Sequence, residues 1–141
     1  MPSRAADVSL RGAAGVCALL SAVVHIVIAP EHLEEKTYIG VLFLVGSVAL
    51  LIAAAGLVRR NPLPGWWLGA LVNGGMILGF ALSRTVGLPG YHETEWDLPY
   101  GALSIASEVA FLAAFATWYG AGKPRPSPPQ VTRPATSLRV R

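Results

Sequence analysis

Long charge-free apolar runs alternate along the chain with short segments that hold almost all of its charge. Residues 12–29, 38–58, 63–83 and 99–119 are each apolar over about the 20 residues that a helix needs to cross a bilayer. The first run closes at Pro30 and the second at Arg59-Arg60. The third opens at Leu63-Pro64, where proline suits a first helical turn, and ends before Arg84. The fourth carries a single charge, Glu108. The connections, residues 30–37, 59–62 and 84–98, are short enough to make successive helices antiparallel neighbours. The pattern predicts an all-α membrane protein, a four-transmembrane-helix up-down bundle within residues 1–119. From residue 120 to 141 the chain is rich in proline, serine, threonine and arginine, which predicts a disordered basic tail.

The first run is long for the apolar region of a signal peptide, and Pro30 follows the small-residue point Val27-Ile28-Ala29. It reads as a retained helix.

Composition then narrows the class. Hydrophobic residues make up 53% of the 141 and charged residues 13%, against roughly 25% charged in soluble domains. The formal charge of +3 could suit nucleic acid, but its placement points to a membrane. Of the 11 lysines and arginines, all but Lys36 and Arg84 fall on one side of the four spans. By the positive-inside rule both termini and the 59–62 loop are cytoplasmic, so the chain is expected as a multi-pass protein of the cytoplasmic membrane. Tyr38, Tyr91, Trp96 and Tyr100 at the outer span ends, and Trp66, Trp67, Trp118 and Tyr119 at the inner ends, fit interfacial belts. The single cysteine, Cys17, forms no intrachain disulfide and no CxxC motif.

Candidate chemistry gathers at the outer side. All three histidines, His25, His32 and His92, are at or near it, with six of the eight acids. At about 1.5 Å of rise per residue, His25, Arg84 and Glu108 lie within roughly 10 Å of the outer interface. Helical spacing aligns Ala14, Ala18, Ser21 and His25 on one stripe, and Asn73, Ile77, Phe80 and Arg84 on another. Gly101, Ser104 and Glu108 form a third. Gly75 and Gly79 form a GxxxG of the kind that lets helices approach closely. An ionisable group inside a span is costly unless paired or hydrated, so Glu108 is the first residue to watch. Arg84 is its natural partner and His25 the second.

Two readings fit this layer. In one, His25, Arg84 and Glu108 floor an outward-facing ligand pocket rimmed by Glu31, His32, Glu35, His92, Glu93 and Glu95. Imidazole and carboxylate together suit zinc, copper or nickel, so His25, His32, Glu35, His92 and Glu95 are the candidate ligands of a transition metal ion. A small anion at Arg84, or pH sensing by the histidines, would use the same layer. In the other reading the layer is structural: an ion pair holds the bundle, and the protein is an accessory subunit contacting partner helices or its own copies. A small oligomeric transporter is a third class. Only His25 lies within a span, which argues against a bis-histidine haem, and no G-x-S-x-G nucleophile motif is present. The sequence shows no enzyme signature.

The segments His25-Ile-Val-Ile-Ala-Pro-Glu-His-Leu-Glu-Glu and Ser83-Arg-Thr-Val-Gly-Leu-Pro-Gly-Tyr-His-Glu resemble those of small four-helix integral membrane proteins of high-GC, actinobacterial-type bacteria. The resemblance covers roughly residues 12–119. It implies a topology and no activity.

Overall fold

The computed structural model describes residues 3–122. It is all-α, with helices α1 (Arg4–Glu35), α2 (Thr37–Leu57), α3 (Leu63–Arg84) and α4 (Tyr100–Ala121). Each is long and apolar enough to cross a membrane. The helices pack in a ring, α1 on α2, α2 on α3, α3 on α4 and α4 on α1. One end of the bundle carries Ser3, Gly122 and the 58–62 turn. The other carries Lys36 and the 85–99 loop. We call these the termini end and the loop end. Of the tail expected from residue 120, Gly120 and Ala121 belong to α4, and residues 123–141 lie outside the described residues.

The largest departure from the expected spans is α1. It starts eight residues earlier than residue 12, capped by Ser3, whose Oγ accepts from the Ala6 N–H at 3.2 Å. Asp7 lies in the first turn, where the helix dipole favours an acid. At the other end Pro30 does not stop the helix. A proline removes one ladder hydrogen bond, yet the turns beyond it stay helical to Glu35, and Lys36 closes them by donating to the His32 carbonyl at 2.8 Å. The expected loop of residues 30–37 is therefore one extended residue, Lys36, with φ −149°. The α1–α2 hairpin is tight: a Cβ at Gly40 would meet the Leu33 backbone N at 2.7 Å, so only glycine fits there. His32 consequently sits on a helix, and it is buried.

Packing differs along the bundle. Toward the termini end, Ala14, Ala18, Ala22, Leu50, Ala54, Leu57, Trp66 and Phe111 form one buried cluster. Backbones touch there: a Cβ on Gly65 would lie 2.7 Å from the Leu57 nitrogen and 2.8 Å from the Ala53 carbonyl oxygen. The Phe111 ring occupies the space that a side chain at Gly69 would need. Asp7 and Arg11 pair at 2.6 Å, and the Trp118 Nε1–H donates to Asp7 at 3.0 Å, which joins α1 to α4. The expected GxxxG contact is absent: nothing lies within 4 Å of a Cβ at Gly75 or Gly79 among the described residues. Between α2 and α3 the glycines that bring backbones together are Gly56 and Gly65.

The 85–99 loop folds back on the bundle. Gly87 (φ +80°) ends α3 in a left-handed turn, its N–H donating to the Leu82 carbonyl at 2.8 Å. Leu88 and Tyr91 exchange backbone hydrogen bonds at 2.7 and 2.9 Å around Gly90 (φ +65°). The Tyr38 O–H donates to the Pro89 carbonyl at 2.9 Å, and the Glu93 N–H to the Ser83 carbonyl at 3.0 Å. These bonds return residues 93–97 to the end of α3.

Candidate functional site

Five buried polar residues meet where α1 faces α4: Ser21 and His25 from α1, Ser104, Ser107 and Glu108 from α4. The stripes expected from helical spacing, Ala14-Ala18-Ser21-His25 and Gly101-Ser104-Glu108, are both buried along their length. The small residues on each let the two helices approach, and that approach encloses the polar ones. The Glu108 side chain is 1% exposed.

The hydrogen bonds define proton positions. Ser104 Oγ donates to Glu108 Oε1 at 2.6 Å, and Ser21 Oγ donates to the same oxygen at 3.3 Å. His25 Nδ1 lies 2.8 Å from the Ser21 carbonyl oxygen. A carbonyl only accepts, so Nδ1 carries a proton. His25 Nε2 then faces Ser104 Oγ at 3.5 Å and Glu108 Oε1 at 3.7 Å. It is either the lone pair of a neutral ring or the second N–H of a charged one. The other carboxylate oxygen, Glu108 Oε2, is buried with no hydrogen-bond partner among the described residues. Oε2 is thus the unmet polar atom of the floor.

Above this floor, in the loop half of the bundle, is a cavity of about 400 Å³. His25, Glu108, Ser104 and Arg84 line it, among walls that are mostly apolar and include Ile39, Phe43, Met76 and Phe80. The three residues expected to share a layer do border one space. They do not form one network. Arg84 pairs with Asp97, Nη2 to Oδ2 at 2.8 Å, not with Glu108. Its Nε–H donates to the Glu95 carbonyl at 2.8 Å, its Nη1–H to Ser83 Oγ at 3.1 Å, and its guanidinium carbon lies 3.7 Å from the centre of the Phe80 ring. The folded-back loop supplies Asp97 and the Glu95 carbonyl, which compensates the Arg84 charge within the chain.

The expected metal ligands are not brought together among the described residues. Among the described residues no group of three or more His, Cys, Asp or Glu side chains is placed to hold a metal ion. His25 and His32 each turn Nδ1 onto a carbonyl of their own helix, of Ser21 and Ile28. Phe43 lies in edge contact with both imidazoles, ring centres 4.8 Å apart in each case, so an apolar ring adjoins both where a shared ion would need polar ligands. Glu35, His92 and Glu95 are exposed. Of the expected rim, His32 lines the cavity, while Glu31 and Glu95 border a neighbouring recess of about 530 Å³ with Trp96 and Tyr100.

Outside the spans, Glu93 organises the loop. Its carboxylate accepts the Glu95 N–H at 3.0 Å, the Tyr91 O–H at 3.2 Å and the Thr94 N–H at 2.8 Å. These donors, the Glu95 N–H foremost, hold it below the usual carboxylate range. Burial, then the charges of Glu93 and Glu35, push the Tyr91 phenol above its ordinary value.

Sequence reasoning missed Asp97 as the partner of Arg84, and the two serines as the donors to Glu108. Ser21 and Ser104 were visible on the buried stripes, and a serine one turn before a buried glutamate is the signal that could have found the second. Nothing in the sequence points to Asp97, because the contact depends on the path of the loop. Comparison of the chain with protein-family models, with curated proteins and with solved structures finds no match.

Proposed function

We propose that the chain is a multi-pass membrane protein whose loop-end cavity binds a small molecule against Glu108 and His25. One observation carries this reading: a fully buried carboxylate on the cavity lining keeps one oxygen without a partner. An ionisable group at membrane depth is expensive, and an unmet polar atom adds to the cost. A structural layer would be expected to close on itself, as Arg84 and Asp97 do. The distribution of lysine and arginine supports cytoplasmic termini, which turns the cavity toward the outer face. The two segments around His25 and Ser83 support kinship with small membrane proteins of high-GC bacteria. No metal enters this proposal, since no donor set assembles among the described residues.

The accessory-subunit reading has one observation in its favour. Both serines already donate to Glu108, so part of its requirement is met inside the chain. Native mass spectrometry of the protein released from lipid nanodiscs separates the two. A near-stoichiometric small-molecule adduct, lost in Glu108→Leu and His25→Ala at unchanged thermal stability, is the expected result. A bare protein in every case, with both variants destabilised, moves the assignment to a structural layer.

A further inference from the structure

We infer, resting on the ligand-pocket reading, that the cavity takes a membrane-soluble amphiphile: an aliphatic chain ending in an alcohol, admitted sideways between α2 and α3. Three features converge on this class.

The first is an opening on the apolar flank. Leu42 and Val45 of α2 and Leu71 of α3 line the cavity and are at the same time 57%, 61% and 75% exposed on the outer surface of the bundle. A residue that is both wall and outer surface marks a mouth. This mouth lies within two helices apolar enough to be membrane spans, so it faces lipid tails rather than water.

The second is the seam that would have to part. Met76 of α3 reaches to Gly46 of α2 and fills the space that a Cβ there would take. Methionine is unbranched and adapts its shape at low cost. Gly75 and Gly79 flank it with open space. A flexible side chain over a glycine can swing aside without moving either helix.

The third is the chemistry of the floor. Ser21 and Ser104 have spent their protons on Glu108 Oε1, and His25 has spent Nδ1–H on a carbonyl. With Glu108 ionised, the unpartnered Oε2 is an acceptor without a donor. An alcohol O–H supplies that donor. A carboxylate head would face Glu108 charge to charge, and a plain alkane would leave Oε2 as it is. The volume of about 400 Å³ is within the range of small-molecule sites.

The test uses the full chain in lipid nanodiscs and three photoreactive probes. These are a decanol carrying a mid-chain diazirine, its methyl ether, and a short diazirine alcohol that stays mainly in water. The decanol is expected to label cavity residues of α2 and α3 at least fivefold above the ether, which has the same shape and no donor. Glu108→Leu should reduce it to the ether level. In Glu108→Gln the amide is itself a donor, so the preference for alcohol over ether should vanish even if the leucine variant fails to fold. Leu71→Trp, a change on the outer surface at the mouth, should slow labelling about fivefold and leave the plateau unchanged. Equal labelling by decanol and ether overturns recognition through a donor, and an unchanged rate in Leu71→Trp overturns the lateral route. Glu108-dependent labelling by the short alcohol alone keeps the ligand pocket and rejects the amphiphile. No Glu108 dependence with any probe rejects both.

Discussion

The two halves of the bundle use the same four helices and differ in what they put between them. Toward the termini end, glycines meet backbone and aromatic ring. Gly65 lies against Leu57 and Ala53, Phe111 fills the place of a side chain at Gly69, and Trp66 stacks on Trp118 with ring centres 5.2 Å apart. Toward the loop end, the glycines of α3 face open space, and the helices enclose a cavity over a polar floor. Between lipid-embedded helices no water-driven hydrophobic force favours close approach, so association depends on packing and hydrogen bonds. The termini half holds the bundle by packing. The loop half is held at its edges, by the Lys36 turn, Tyr38 on Pro89 and Arg84 on Asp97. A region held at its edges can keep an interior open to a ligand.

Changes to the packed half should therefore have the largest effects. Phe111→Ala removes the fully buried ring between α3 and α4 and should cost about 3 kcal/mol, read as a steep loss of resistance to denaturing detergent. Gly65→Ala drives a methyl into the α2 backbone and should cost about 2 kcal/mol by the same assay. If either variant retained wild-type stability, the packed half would not be what holds the helices together.

The loop half should respond differently. Glu108→Leu replaces a buried group that is only partly satisfied with an apolar one of similar size, so stability should change by less than about 1 kcal/mol. A collapse comparable to that of Phe111→Ala would make the glutamate a structural keystone.

Acid should loosen the loop before the bundle. The folded pKa of Glu93 is lowered, so its contribution is complete above the ordinary glutamate range and is lost as pH falls through the lowered value. Hydrogen exchange across residues 85–99 should accelerate in that acid window while α1 and α4 stay protected. Glu93→Gln should remove the pH step. The smallest effect is expected at Gly75, where a methyl meets open space. Gly75→Ala should leave stability unchanged or raise it by up to about 1 kcal/mol through helix propensity.

Most of the fold was legible because a bilayer imposes a coarse rule. Spans need apolar length, and the runs at 38–58 and 63–83 match α2 and α3 to within a residue at each end. What failed was local. Pro30 reads as a stop, but one lost hydrogen bond does not outweigh the helical turns on both sides, so α1 runs on and carries His32 inward. The buried stripe of α1 was legible through its period, down to Ser21 and His25. The pairing of Arg84 was not. Charge alone favoured Glu108, an ionisable group near its depth, and the decision was made by the loop that returns Asp97 to the end of α3. A GxxxG names two glycines able to approach a helix and says nothing of whether a helix is there, which is why Gly75 and Gly79 border a cavity and Gly65 makes the contact.

The open cavity at the loop end is the centre of this account, and two matched serines test it. Ser83 and Ser47 are both buried, and both donate to a carbonyl of their own helix, at 2.9 and 2.7 Å. Ser83 lines the cavity and Ser47 is not among its lining residues. Each is changed to cysteine in a Cys17→Ser background and exposed, in intact cells, to a membrane-impermeant cationic methanethiosulfonate. Ser83→Cys should be modified from outside and Ser47→Cys should remain unreactive. Equal inertness of the two would mean that no outward-facing cavity exists, and reaction of Ser83→Cys only from the cytoplasmic side would invert the orientation.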